Sequence, residues 1–318
     1  MNSLPLSAQL TADLQTVEAI VQQRINTKPI VADVIRSRVG LQNERRMRAA
    51  LSLLAAQFGQ YQLQKVQHVA STIELIAAAA QVHNTIIDSY EHNHTTIQDG
   101  PWPHGVPLMI GDYLYALASA EMALIPDARA ITVFSEAVKR ITEASLTPVT
   151  SPEPFEQAKA DYLDQVGGRT ASLFAAASMA GAIVAGCSND DIQILGDFGR
   201  ALGMAYQIAQ DDQACLPSTN QHAAHNGQGA SKRKKISLAL IYAVAADPHG
   251  RLADLSTKSD LTQAEHAWVD QQILQFGREA AQRDMQSYLA ESLKALSKLP
   301  PSAAYNELQH FANTIDIR

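Results

Sequence analysis

Between Val69 and Asp88 the apolar positions Val69, Ile73, Ile76, Ala80 and Ile87 recur at spacings of three, four or seven. That is one helical face sustained over about 30 Å of rise. A comparable segment runs from Tyr162 to Ala185, rich in Ala and interrupted by Gly167 and Gly168, and so many small residues predict close helix packing. Two further stripes cover Ile192 to Ala214 and Ala264 to Leu296, the latter placing Trp268, Ile273, Phe276, Met285, Leu289 and Leu293 as expected core positions. The alternation of Val, Thr and aromatic residues that marks strands is nearly absent. Breaks are predicted at Asp99–Pro107, Pro148–Pro154 and Leu216–Lys235, where Gly, Pro or polar residues cluster. No repeat of solenoid period is present. The expected fold is all-α, a single large helical bundle over residues 1–318.

The remaining composition narrows the function classes. A chain of 318 residues can bury a large core, and no Pro, Gly or Ser rich stretch divides it. The formal charge of −7 is diffuse and acidic, which argues for solubility and against nucleic-acid binding. Cys187 and Cys215 are too few for a disulfide framework and lack the spacing of a structural zinc site. Neither a basic-then-apolar leader nor a run of 18 apolar residues is present, so no membrane span is expected and the localisation expected is cytoplasmic.

Candidate chemistry begins on the central helix. Glu74, Leu75 and Ile76, followed by His83, Asn84, Thr85, Ile86, Ile87 and Asp88, have the frame of the first aspartate-rich motif of the trans-isoprenyl diphosphate synthases, also called polyprenyl synthetases. There Glu-Leu-Ile-His is followed six residues later by Asp-Asp-x-x-Asp. Four more segments fall in that family's order. Arg45, Arg46, Met47 and Arg48 resemble its basic Gly-Lys-Arg-Leu-Arg segment. Gly111, Asp112, Tyr113 and Leu114 match Gly-Asp-Tyr-Leu. Gly168 to Leu173 are similar to Gly-Lys-Thr-Ala-x-Leu, and Tyr206, Gln207 and Ile208 to the Phe-Gln-Ile that introduces the second aspartate motif. Leu299 and Pro300, after a long helix, match its ending. The resemblance extends over roughly residues 40 to 318.

The resemblance implies a condensation in which an allylic diphosphate ionises and isopentenyl diphosphate captures the carbocation. In the family, Mg²⁺ held between two carboxylate clusters neutralises the leaving diphosphate, as suits a hard ion that bridges carboxylate and phosphate oxygens. This chain departs from that pattern. The first motif aligns as Asn84, Thr85 and Asp88, and the second as Gln210, Asp211 and Ala214, one carboxylate of three in each. A shifted frame recovers Asp211 and Asp212, but it puts Cys215 in the third place and needs an insertion after Gln207. The residual metal candidates are therefore Asp88, Asp211 and Asp212. The family's His in Glu-Leu-Ile-His and its Arg pair after the first motif read here as Ala77, Asn93 and His94. Arg45, Arg46, Arg169, Thr170, Gln207 and Lys235 remain as expected substrate contacts, arginine being suited to bidentate phosphate binding.

Plainer readings stand beside these. Arg45, Arg46 and Arg48 also fit the solvated face of a helix, and Lys232 to Lys235 a solvated loop. Asp211 and Asp212 fit an exposed pair at a helix end. His83, His92, His94 and His104 with Asp88 and Asp99 fit the ligand types of a transition-metal site. The leading expectation is a catalytically impaired partner subunit, as homodimer or heterodimer with an active synthase, or a binder of isoprenoid diphosphates. The alternative is an active prenyltransferase with a reduced Mg²⁺ site; a third is a helical protein that kept the fold and lost the ligand. Small Ala78, Ala79 and Ala80 predict a deep apolar channel if the cavity persists.

Overall fold

The computed structural model describes residues 6–26, 32, 35, 46–92, 105–215, 236–258 and 261–315, with the side chains of residues 85–92 excepted. Every regular element among them is helical: α1 (Ala8–Ile25), α2 (Met47–Ala56), α3 (Leu63–His92), α4 (Gly105–Met122), α5 (Ala128–Leu146), α6 (Phe155–Val166), α7 (Ser172–Val184), α8 (Asn189–Ala214), α9 (Leu238–Ala245), α10 (Arg251–Thr257), α11 (Gln263–Gln272), α12 (Arg278–Leu296) and α13 (Ala303–Asn313). Two π-turns, Gly167–Ala171 and Ile273–Gly277, join α6 to α7 and α11 to α12 without a break in the backbone spiral. The α3 helix packs along α4, α7 along α2 and α8, and α8 along α12. Among the described residues no helix is long and apolar enough to cross a membrane.

Local sequence explains the helix starts. Ser7, Asp127, Ser188, Ser237 and Ser302 each accept from a first-turn N–H, and Thr262 with Glu265 forms a reciprocal capping box at α11. The α2 start is different. Its preceding residue, Arg46, lies in the left-handed region (φ 46°, ψ 43°) and caps nothing with its side chain. Glu74 of α3 caps α2 from outside, accepting the Ala49 N–H at 2.9 Å and an Arg48 Nη at 3.2 Å. Left-handed backbone at a non-glycine costs about 1–3 kcal/mol, and it persists here because the Arg46 guanidinium is held by Glu18 of α1 and lies 3.6 Å from Glu74. A second brace joins α1, α4 and α3 through Arg24, Glu121 and His68, with His68 Nδ1 2.8 Å from the fully buried Glu121.

Small residues bring backbones together at Gly181, within the Ala-rich stretch that predicts it, and at Gly277, outside that stretch. A Cβ added at Gly181 would lie 2.2 Å from the Ser52 carbonyl oxygen, and one at Gly277 would lie 1.8 Å from that of Ala239.

Two expectations change. The segment from Tyr162 to Ala185 is not interrupted at Gly167 and Gly168; the spiral widens there into a π-turn and continues. Phe276, expected in the core, is 48% exposed, and Trp268 and Leu293 are half-buried. The second π-turn adds a residue to the spiral and so shifts the phase of the apolar stripe. Gly277, not Phe276, then takes the position facing α9, while Ile273, Met285 and Leu289 stay buried.

Candidate diphosphate site

The residues aligned with the two aspartate motifs are linked by a chain of contacts running across the bundle, from Asn84 to Asp211. Asn84, near the end of α3, accepts from the Ser145 hydroxyl of α5 at 3.0 Å. One residue back, Ala144 packs so tightly on Gly168 that a Cβ there would lie 2.4 Å from the Ala144 methyl. Gly168 is the second residue of the first π-turn, which is closed by a Ser172 N–H to Gly167 carbonyl bond. The Gly168 carbonyl is taken by the Ser172 hydroxyl at 2.5 Å. Thr170 in that turn donates to Gln207 Oε1 on α8 at 2.7 Å. Gln207 Nε2 donates in turn to Asp211, one turn on, at 3.0 Å. The other Asp211 oxygen accepts the Tyr162 hydroxyl from α6 at 2.7 Å.

Tyr162 is 1% exposed. Burial, then the Asp211 charge, push its phenol well above the usual tyrosine range, so it is a permanent donor at any physiological pH. A buried hydroxyl donating to a carboxylate is among the stronger single contacts, about 1.5–3 kcal/mol.

Asp212 leaves the same helix toward a different neighbour. Arg278, the residue just after the second π-turn, meets it through Nε at 2.8 Å and an Nη at 3.1 Å, and Gln282 adds a third bond at 3.1 Å. Hydrogen bonding to Asp212 raises the Arg278 pKa further. Adjacent positions on a helix point about 100° apart, so the two carboxylates serve separate contacts.

Of the expected substrate contacts, Thr170 and Gln207 are brought together and Arg169 lies between Gly168 and Thr170, half-buried. Arg46 is a correction. It was expected on a solvated face or against substrate, and instead it is 6% exposed and braces Glu18 and Glu74. Arg45 and Lys235 lie outside the described residues, as do the side chains of Thr85 and Asp88 and the histidines 92, 94 and 104 with Asp99. His83 approaches Asp112 and the Leu108 carbonyl oxygen, each at 3.3 Å. Among the described residues no three His, Cys, Asp or Glu side chains are grouped to hold a metal. The pair Asp211 and Asp212 is not a solvated helix end, because both are partly buried and bonded.

A magnesium cluster asks for several converging anionic oxygens. The described donors offer an Asn84 oxygen bonded to Ser145, an Asp211 carboxylate bonded on both oxygens, and Gln210 and Ala214 without charge. These do not fit such a cluster. Sequence reasoning missed Tyr162, Ser145, Arg278 and Gln282, whose partners lie 49 to 70 residues away. No local pattern signals pairs so remote. Of the alanines expected to border a channel, Ala78 and Ala79 are packed in the core and Ala80 is half-buried. Two open depressions among the described residues, about 490 and 250 Å³, are lined by Ala267, Asp270 and Leu274 and by Lys65, Arg129 and Ala185, and none of those alanines lines either.

Comparison with known proteins gives a consistent picture. The heptaprenyl diphosphate synthase component 2 of Geobacillus stearothermophilus is 29% identical over 273 residues, 84% of each chain. That of Bacillus subtilis is 26% identical over 317 residues, 97% of this chain and 89% of the relative. Among solved structures, a heptaprenyl diphosphate synthase from Staphylococcus aureus superposes with a TM-score of 0.81 at 21% identity, covering 97% of this chain and 98% of its own. A polyprenyl synthase from Caulobacter crescentus, solved with calcium and isoprenyl diphosphate, has a TM-score of 0.80 at 22% identity and covers 98% and 96%. At these identities the structures show the shared fold. With the family profile described as Polyprenyl synthetase matching residues 31–273, the chain belongs to the polyprenyl synthetase family.

Proposed function

We propose that this chain is a catalytically impaired polyprenyl synthetase that binds isoprenoid diphosphates as the partner subunit of a heteromeric synthase. One observation carries the reading: the second motif keeps Asp211 alone of its three carboxylate positions, and that carboxylate is bonded by Tyr162 and Gln207. Ionising an allylic diphosphate requires the leaving group to be neutralised, and a carboxylate already held by two protein donors is a poor ligand for the ion that does this. The first motif supports the same reading, Asn84 being neutral and bonded to Ser145. Diphosphate binding rests on the residues beside the network, with Arg169 in the first π-turn and Arg45 and Lys235 as the further cationic candidates.

The partner role draws on two lines of support. The relatives from G. stearothermophilus and B. subtilis are named as component 2 of a synthase. On this chain α4 exposes Leu108, Met109 and Tyr115, large apolar side chains that an associating subunit would cover.

Purified protein supplied with isopentenyl diphosphate, an allylic diphosphate of one to three isoprene units and Mg²⁺ or Mn²⁺ is expected to give no elongated product by mass spectrometry. Farnesyl diphosphate is expected to raise the melting temperature even with EDTA present. Elongated product that disappears in Asp88→Ala or Asp211→Ala would establish the alternative, an active prenyltransferase with a reduced metal site. Absence of both product and thermal shift would leave only the fold.

A further inference from the structure

We infer that Tyr162 and Asp211 are positioning residues that pin the first π-turn, so that the remnant of the second aspartate motif now orders the turn bearing Arg169. The ligand part of this inference rests on the diphosphate-binding reading above; the pinning part does not.

The argument begins with what a π-turn needs. Widening a helix by one residue leaves backbone groups without their usual partners, and such turns persist in short pieces where surrounding contacts hold them. At Gly167–Ala171 the holding contacts come from three sides. Below, the Ser172 hydroxyl takes the Gly168 carbonyl. On one flank, the Ala144 methyl and the Arg140 carbonyl leave no room for a side chain at Gly168, at 2.4 and 2.8 Å from an added Cβ. On the other flank, the Thr170 hydroxyl ties the turn to Gln207 of α8.

Gln207 is oriented in turn. Its amide donates to Asp211 while its oxygen accepts from Thr170, and reversing the amide would turn that oxygen against the Asp211 carboxylate and lose the bond to it. Asp211 is fixed by Tyr162, which is buried and remains a donor. Tyr162 stands five residues before Gly167 on the same continuous spiral. The path therefore closes a ring: α6 to α8 through Tyr162 and Asp211, along α8 to Gln207, back to the turn through Thr170, and down the backbone to Tyr162. A closed ring of this kind constrains the backbone at residue 169 from both directions. Networks of this sort act as a unit, so removing any one bond is expected to release most of what removing two would.

The test pairs a ligand-independent readout with a ligand-dependent one on full-length protein. Hydrogen exchange is measured at amides 168–172 in wild type, Tyr162→Phe, Thr170→Val and the double variant. Tyr162→Phe is expected to speed exchange there at least tenfold, with the double variant matching the faster single variant. Farnesyl diphosphate affinity, measured by calorimetry in EDTA, is expected to fall at least fivefold in Tyr162→Phe, with Asp211→Asn closer to wild type than Asp211→Ala. Unchanged exchange in a folded Tyr162→Phe protein overturns the pin. Faster exchange in a protein whose wild type binds no diphosphate upholds the pin and removes the diphosphate-binding reading. Equal affinity loss in Asp211→Asn and Asp211→Ala, with Mg²⁺ strengthening diphosphate binding only in wild type, would make Asp211 a metal ligand and overturn the inference.

Discussion

The Tyr162 hydroxyl donates to the Asp211 carboxylate at 2.7 Å, from one helix to another 49 residues on. The phenol is buried, so its loss leaves a carboxylate oxygen with one donor fewer in a partly dry setting. Tyr162→Phe is expected to cost about 1.5–3 kcal/mol in urea denaturation, within the range for hydrogen bonds to charged groups. A midpoint equal to wild type would mean water replaces the hydroxyl without loss.

Two glycines separate close packing from conformational cost. An alanine methyl at Gly277 meets the Ala239 carbonyl oxygen at 1.8 Å, whereas one at Gly167 meets nothing within 4 Å. Gly277→Ala is expected to destabilise by about 1–3 kcal/mol or more through overpacking. Gly167→Ala is expected to be neutral or to stabilise by about 0.5–1 kcal/mol, since it only lowers the freedom of the unfolded chain. Thermal unfolding of the two variants side by side checks both.

The buried brace around Arg46 sets part of the acid limb of stability. Burial pushes the Glu18 carboxyl up, but hydrogen bonds from Arg46 and Gln22 together with the Arg46 charge outweigh it and hold the pKa below the ordinary 4.5. A carboxylate with a depressed folded pKa adds stability that is present above its unfolded pKa and is lost as pH falls through the folded one. Glu18→Gln is expected to lower stability at pH 7 and to flatten its decline below about pH 4.5. Denaturant titrations from pH 7 to pH 3 show the slope directly.

Cys187 is the half-buried thiol of the chain, and burial, with a smaller contribution from Asp191, pushes its pKa up to about 11 from 9.0. Thiolate is the reactive form, so alkylation of the folded protein by iodoacetamide at pH 8 is expected to be roughly a hundredfold slower than that of an ordinary thiol, a factor of ten per pKa unit. The rate should climb through pH 11. Fast labelling of Cys187 at pH 8 would contradict the burial.

Restoring carboxylates to one motif is not expected to restore a clamp. Asn84→Asp with Thr85→Asp keeps an oxygen for the Ser145 hydroxyl to bond, yet leaves Gln210 and Ala214 uncharged across the site. Condensation activity of this double variant alone is expected to stay absent. Strong product formation would show that one motif is enough.

Much of this protein was legible along the chain. The 3.6-residue stripes marked α3, α8 and the α11–α12 rod to within a few residues, apart from an α3 that starts six residues earlier, because a face buried on one side must repeat with the helix. The absence of a carboxylate at Asn84, Gln210 and Ala214 is legible in the sequence alone, in any conformation. What periodicity misjudged was phase. Phe276 kept its place in the stripe but turned outward once the second π-turn inserted an extra residue, a change set by the approach of Gly277 to α9.

The sequence by itself determined the helical class, the family and the kinds of side chain available at the two motifs, because composition, period and order of motifs are local properties. Only the tertiary structure decided what those side chains do. Asp211 answers to Tyr162, Asp212 to Arg278 and Arg46 to Glu18, across separations of 49, 66 and 28 residues. Charged and polar groups leaving water take whatever partner the packed helices bring within reach, and that partner is chosen by the fold.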